Sequence, residues 1–185
     1  MFLKTSRMVL WNCARIGQTA RTSRHVLTDC RIELAETGDA AAIAAMSRDL
    51  IEYGLRWRWG PARVAASIGD RATNVVAARI GRRLCGFGIM KYRDLEAHLH
   101  LLAVHPSCQG KGVGAALVGW LERSALTAGI GVVYVEARSE NGIARAFYRK
   151  LGYREFAQAS GYYENSEDAV RLAKDLWLGQ VGPDA

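Results

Sequence analysis

Between Leu101 and Ala115 the chain reads Leu-Leu-Ala-Val-His-Pro-Ser-Cys-Gln-Gly-Lys-Gly-Val-Gly-Ala. An apolar strand runs up to Pro106, a short turn follows, and an apolar helix begins among three glycines. The first turn of a helix carries unpaired N–H groups and a partial positive charge. Glycines let a ligand approach that backbone without meeting a Cβ. Such a turn is an anion site suited to a phosphate or pyrophosphate, and Lys111 adds a positive charge. A second apolar strand, Val132–Ala137, comes after the helix predicted over Gly112–Ala128. The two strands must then lie parallel, joined by a right-handed crossover.

Taken alone, this segment leaves alternatives open. Gly110-x-Gly112-x-x-Ala115 also fits a loose dinucleotide fingerprint, and a glycine turn without any ligand has the same spelling. It is not a Walker A loop, because no Lys-Ser or Lys-Thr follows the last glycine.

The rest of the pattern wraps around that unit. Arg31–Ala35 reads as a first strand. Thr37 or Asp39 caps a helix to about Tyr53, with Ile43, Met46, Leu50 and Ile51 at helical spacing. Leu55–Gly60 is a turn carrying Trp57-Arg58-Trp59, and Pro61 opens a second helix to about Ile68. Asn74–Arg79 and Leu84–Tyr92 form a hairpin turning at Gly81, and Ala97–Val104 is the strand before the glycines. Gly142–Leu151 is a helix closed by Gly152. Arg154–Gln158 and Ala169–Asp175 are the last strands. The expected fold is α/β: a mixed, mostly antiparallel sheet with one parallel pair and helices on both faces.

Residues 1–30 hold Lys4, Arg7, Arg15, Arg21 and Arg24 against Asp29 alone, more than half of the net charge of +7. Their composition resembles an organellar transit peptide; a disordered extension or an over-long start of translation is the plainer reading and the expected one. The division is thus a basic extension over 1–30, one domain over 31–178 and a tail over 179–185. The mildly basic body suits an anionic cofactor or substrate and lacks the clustered basic stripe of a nucleic-acid binder. No apolar run approaches the ~18 residues of a membrane span. Cys13, Cys30, Cys85 and Cys108 are widely spaced, which points to free thiols in a reducing compartment such as the cytoplasm, and to no zinc site.

A second motif narrows the choice. Residues 136–153 read Glu-Ala-Arg-Ser-Glu-Asn-Gly-Ile-Ala-Arg-Ala-Phe-Tyr-Arg-Lys-Leu-Gly-Tyr. Asn141, Ala144, Phe147, Tyr148, Leu151, Gly152 and Tyr153 match the Asn-x-x-Ala-x-x-Phe-Tyr-x-x-Leu-Gly-Phe/Tyr pattern of the GNAT N-acetyltransferases. Gln109 to Gly114 match that family's Gln/Arg-x-x-Gly-x-Gly/Ala turn. The two motifs stand in the family's order and separation, and the chain resembles the family from Arg31 to about Leu176.

The resemblance implies an acetyl-CoA-dependent N-acetyltransferase working by direct attack of an amine through a tetrahedral intermediate. It implies that the backbone of Leu102, Ala103 and Val104 pairs with the pantetheine arm. It implies that the amides of Gln109, Gly110, Lys111, Gly112, Val113, Gly114 and Ala115 hold the pyrophosphate, that Asn141 bonds to the cofactor, and that Tyr148 sits near its sulfur as the acid. An oxyanion needs a fixed N–H donor, usually the largest electrostatic contribution, and Val104 is the family's candidate.

Two residues compete as base. Glu136 shares a strand face with Tyr134 near the end of a parallel strand, where ligands bind. The run Val-Glu-Ala-Arg, then Asn141 and Tyr148, resembles the bacterial ribosomal-protein N-terminal alanine acetyltransferases, whose matching glutamate is the base. An ion pair with Arg138 is the structural alternative. His98 is the rival: it shares a face with His100, and histidine as a residue type suits a base near neutral pH. That pair could instead ligate a metal or simply line the cleft.

For the acceptor, Tyr162 and Tyr163 resemble the tyrosines that flank a peptide N-terminus in that subgroup. Trp57 and Trp59 depart from its pattern. Around Arg58 they could stack on an aromatic or bind an acidic acceptor, or be buried under a loop. A peptide N-terminus, polyamine, amino acid or aminoglycoside all remain open as acceptor, as does a non-catalytic CoA sensor, and the chain is expected to be a monomer or homodimer.

Overall fold

The computed structural model describes residues 30–163 and 167–178, with the side chains of 163 and 167 left out. The basic extension and the C-terminal tail lie outside the described residues, apart from Cys30, which opens β1. The strands are β1 (Cys30–Leu34), β2 (Thr73–Ile80), β3 (Arg83–Arg93), β4 (Glu96–Val104), β5 (Val132–Arg138), β6 (Arg154–Tyr163) and β7 (Glu167–Asp175). The helices are α1 (Ala40–Leu50), α2 (Pro61–Gly69), α3 (Val113–Thr127) and α4 (Gly142–Lys150). The seven strands lie in the order β1-β2-β3-β4-β5-β7-β6. Only β4 and β5 run parallel. This is the mixed sheet with one parallel pair that the sequence implies.

Apolar clusters cover both faces. Val113, Leu117 and Leu121 of α3 pack on one with Leu99, Val133, Val135 and Tyr148. Ile43 of α1 and Val64 of α2 pack on the other with Phe87, Ile89 and Leu101. Each such side chain contributes ~1.5–3 kcal/mol on burial. Gly86 and Gly88 let α3 lie close to β3. A Cβ at Gly86 would sit 3.2 Å from Leu117 Cδ1, and one at Gly88 would sit 2.9 Å from Leu121 Cδ1.

Three elements differ from the sequence expectation. Helix α1 stops at Leu50, not Tyr53, because the chain turns back on itself: the Glu52 N–H donates to Ser47 O. A 3-10 turn, Thr37–Asp39, leads into it. Glu36 and Asp39 form a capping box at the start of that turn, each side chain accepting from the other's backbone N–H. Asp39 stands at the N-cap of α1 without a side-chain cap bond there. Strands β6 and β7 run further than predicted, to Tyr163 and from Glu167, around Gly161 at φ 64°.

Two irregularities position the site. In β4, Leu99 pairs with Met90 and Leu101 with Ile89, so His100 is the extra residue of a bulge. The bulge reverses the alternation: Leu99 faces α3, while Leu101 and Ala103 face α1 and α2. Second, the β4–β5 pairing ends at Leu99 and Val135. Beyond it β4 stays with β3 to Val104 and β5 stays with β7 to Arg138, so the parallel strands part at their C-terminal ends. No helix among the described residues is long and apolar enough to cross a membrane.

Candidate active site

A cleft of about 770 Å³ occupies the opening between the parted strands. Its wall takes Leu99, Val135, Ala144 and Tyr148 from the α3–α4 face, and Trp59, His100, Glu136 and Arg138 from the α1–α2 face. The cleft therefore passes through the sheet.

The open edge of β4 has a definite polarity. The His105 N–H donates to Cys85 O at 2.8 Å, which makes the next pair inward, Gly86–Val104, a non-hydrogen-bonded pair of the antiparallel ladder. By alternation the N–H and C=O of Val104 and Leu102 point away from β3 and into the opening, while those of Ala103 are used by β3. The expectation that three consecutive residues offer their backbone to a ligand thus reduces to Leu102 and Val104. The Val104 carbonyl accepts from Gln109 Nε2 at 2.8 Å, which ties the glycine turn to the end of the strand.

That turn holds Gly110 at φ 70° and Gly112 at φ 80°, a left-handed backbone suited to glycine. Gly112 is the N-cap of α3, and the first intrahelical bond runs from Ala116 N to Gly112 O. The N–H groups of Val113, Gly114 and Ala115 are therefore left for an anion. Lys111 Nζ donates to Ser107 O at 2.8 Å, which ties the ammonium back to the residues that precede the turn. A Cβ at Gly114 would stand 3.2 Å from Phe147 Cζ, so the turn sits against the neighbour of Tyr148. The turn itself is not part of the cleft wall.

Helix α4 carries the far wall. Asn141 Oδ1 caps it by accepting from Ala144 N at 2.9 Å. Tyr148 is buried on the cleft, edge-on to Phe147 and Tyr153 at 5.2 and 5.5 Å between centroids.

The two candidate bases form one unit. The His98 Nε2–H donates to Glu136 Oε2, and Arg171 Nε, across the β5–β7 ladder, donates to Oε1 at 3.3 Å. Burial pushes the Glu136 carboxyl up. The hydrogen bond from His98 and the charges of His98 and Arg171 outweigh it and hold the group below the usual carboxylate range. Glu136 lines the cleft and His98 stands behind it. The rings of His98 and His100 stack at 4.7 Å. Removal from water, then the charge of His98, lowers His100 to about 4. Arg138, on the same face as Glu136, donates to the carbonyls of Ile51 and Tyr53 at 3.0 and 3.2 Å and pins the α1–α2 loop to β5.

The candidate acceptor residues divide. Trp59 and Tyr162 line the cleft. Trp57 lies outside its wall, 43% exposed, with the Arg48 guanidinium 5.5 Å from its ring centroid. The backbone of Tyr163 ends β6, and its side chain lies outside the described atoms. Sequence reasoning missed Glu52, a buried carboxylate that accepts from Ser47 Oγ at 3.0 Å, Arg58 N at 2.6 Å and Trp59 N at 3.2 Å. It builds the loop that presents Arg58 and Trp59. Arg171 was also missed, since only the β5–β7 register sets it opposite Glu136. Among the described residues no group of three or more His, Cys, Asp or Glu is placed to hold a metal ion.

A helix N-terminus open to phosphate, strand backbone turned into a cleft, and a carboxylate and a tyrosine on that cleft define a site for group transfer from a phosphate-bearing donor. The chain belongs to the acetyltransferase (GNAT) family, whose model matches residues 42–153, and it is an acetyl-CoA-dependent N-acetyltransferase. It is 33% identical over 122 residues to the N-alpha-acetyltransferase RimI of Mycobacterium tuberculosis, covering 63% of this chain and 75% of that one. It is 30% identical over 118 residues to the ribosomal protein bS18-alanine N-acetyltransferase of Escherichia coli, covering 62% of this chain and 79% of that one. The solved structure of the latter protein superposes with a TM-score of 0.71 at 24% identity, over 84% of this chain and 98% of that one. An uncharacterized N-acetyltransferase of Methanocaldococcus jannaschii is 35% identical over 98 residues, or 52% of this chain, and the match spans 63% of its length.

Proposed function

We propose that the chain acetylates the α-amino group of a peptide or protein N-terminus. The observation that carries this reading is the through-sheet cleft: Leu102, Tyr148 and Glu136 line it, and the backbone of Leu102 and Val104 is turned away from β3 along the parted edge of β4. The relatives named for N-terminal acetylation, including one named for the alanine of a ribosomal protein, support the acceptor class.

Each residue then has a task. The amides of Gln109 to Ala115 and the Lys111 ammonium hold the donor's pyrophosphate. The backbone of Leu102 and Val104 pairs with its pantetheine arm, helped by the Asn141 amide NH2. Glu136 accepts a proton from the incoming amine, and His98 and Arg171 keep it ionised and ready to do so. The Val104 N–H faces the carbonyl oxygen as negative charge develops there. Tyr148 gives its hydroxyl proton to the departing sulfur. Trp59, Tyr162 and Tyr163 flank the acceptor, and Trp57 falls outside this assignment. The free thiols of Cys30, Cys85 and Cys108 support the cytoplasm as the place of work.

The test is thiol release from acetyl-CoA with peptides bearing a free N-terminus, the same peptides N-blocked with a free lysine, and polyamine and aminoglycoside amines. Turnover confined to free N-termini, with the acetyl group located on the α-amine by fragmentation mass spectrometry, is expected. Turnover confined to lysine or small amines would overturn the reading.

A further inference from the structure

The wall of the cleft includes Arg56, Arg58, Arg63 and Arg138 together with Glu52 and Glu136. Both carboxylates are engaged internally. Glu52 is occupied by Ser47 and two backbone amides of its own loop. Glu136 is occupied by His98 and Arg171. Neither Arg58 nor Arg63 has a carboxylate partner among the described residues. Arg58 and Arg63 stand on the α1–α2 side of the cleft, where an anionic group would relieve their mutual repulsion.

Arg63 is held in place without being neutralised. Its guanidinium lies 4.1 Å from the Trp59 ring centroid. Trp59 meets His100 at 5.9 Å, and His100 stacks on His98 at 4.7 Å. His98 bonds Glu136. One continuous stack therefore links the first turn of α2 to the proposed base. A guanidinium packed on an aromatic face keeps its N–H donors along the edge, where they fit a carboxylate two at a time. The ordering entropy of the long side chain is already spent in the free protein. Arg58 is carried by the loop that Glu52 organises, so it too is presented from a fixed backbone.

We infer that this enzyme selects acceptors with an acidic side chain close behind the reacting amine: peptide N-termini with Asp or Glu at the second or third residue. The inference rests on the N-terminal acceptor reading above and adds the chemistry of the residues that follow. An extended peptide advances ~3.3–3.6 Å per residue. With its amine at Glu136, its second and third side chains therefore fall within the span of the three ring steps to Arg63. Acidic side chains there meet the edge of Arg63 and the guanidinium of Arg58, while Lys or Arg there meets like charge.

The experiment compares kcat/KM for peptides identical except at positions two and three, carrying Asp or Glu, Asn or Gln, and Lys, with free aspartate and glutamate as further acceptors. The acidic peptides are expected to exceed the lysine peptides by ~10-fold or more, about 1.4 kcal/mol, with the margin shrinking as salt rises. Arg58→Glu and Arg63→Glu, each checked for the melting shift that acetyl-CoA confers, should reverse the order of acidic and basic peptides. Equal turnover of all three peptide classes would overturn this inference and leave N-terminal acetylation standing. A preference for lysine peptides would overturn it as well. Turnover of free aspartate or glutamate without any peptide turnover would overturn both. If Arg63→Glu does not fold, Arg58→Glu and the native enzyme's own peptide ranking still decide the matter.

Discussion

Replacing Glu52 tests how the acceptor wall is built. The residue has 7% of its surface exposed, and its carboxylate accepts from Ser47 Oγ, Arg58 N and Trp59 N. Ser47 is fully buried, so Glu52→Ala leaves its hydroxyl without that partner, and two loop amides lose their acceptor. A net hydrogen bond is worth ~0.5–1.5 kcal/mol, and stranding a buried donor costs ~1–3 kcal/mol. The two amides sit in a loop that can open to water, so the lower figure applies to them, and the loss comes to about 3 kcal/mol. At roughly 2–4 °C per kcal/mol for a domain of this size, the melting temperature should fall by about 6–12 °C. Glu52→Gln can keep one oxygen on the two amides and turn its NH2 to Ser47 Oγ, so it should cost only about 1 kcal/mol. The loop carries Arg58 and Trp59 to the cleft, so Glu52→Ala should also raise KM for the acceptor. Acetyl-CoA affinity should hold, because the phosphate turn lies at the start of α3. The assays are thermal unfolding, acceptor kinetics and calorimetric binding of acetyl-CoA. A melting temperature within about 2 °C of the native protein, or a glutamine variant as damaged as the alanine variant, would refute the reasoning.

Other outcomes follow from the same geometry. Tyr148→Phe keeps the edge-on ring contacts and removes the proton donor, so turnover should fall ~10²-fold or more while acetyl-CoA affinity changes little. His98→Ala removes the hydrogen bond and charge that hold Glu136 low and leaves the burial that pushes it up; the acid limb of the pH–rate profile should move to higher pH, and an unmoved limb would place the base elsewhere. Gly112→Asp puts a side chain and a negative charge on a left-handed N-cap at φ 80°, and should abolish most of the stabilisation by acetyl-CoA in a melting assay. His100 is lowered to about 4 from 6.5. Between those values the unfolded chain binds its proton and the folded chain does not, so this group weakens the fold as pH falls through that window; His100→Gln should flatten melting temperature against pH there.

The backbone geometry of the glycine turn and of α4 was legible because its signals are local. Glycines at a helix start, a proline ending a strand, and an asparagine cap before Phe147-Tyr148 each state a backbone geometry within a few residues. The acceptor half depends on contacts between distant segments. The bulge at His100 lies in the register of β4 on β3, and no periodicity in Ala97–Val104 announces it. The same register decides that Leu102 and Val104, and not Ala103, face the opening. Glu136 and His98 looked like rivals along the chain, 38 residues apart; parallel pairing of β4 with β5 makes them hydrogen-bonded partners. Glu52 sits in what reads as the last turn of a helix, where an acid is normally solvated, and only the return of the loop over it makes it structural. Trp57 and Trp59 look equivalent in sequence, yet only Trp59 reaches the cleft.

The central claim is that the opening between β4 and β5 is where the acetyl group changes hands. A crystal structure with a peptide–CoA bisubstrate analogue tests it most directly. The account predicts the pyrophosphate on the amides of Gln109 to Ala115, the pantetheine bonded to Leu102 and Val104 along the open edge of β4, and the linking carbonyl between Tyr148 and Glu136 with its oxygen toward the Val104 N–H. A ligand bound elsewhere, or bound along this edge with its carbonyl remote from Tyr148 and Glu136, would contradict it.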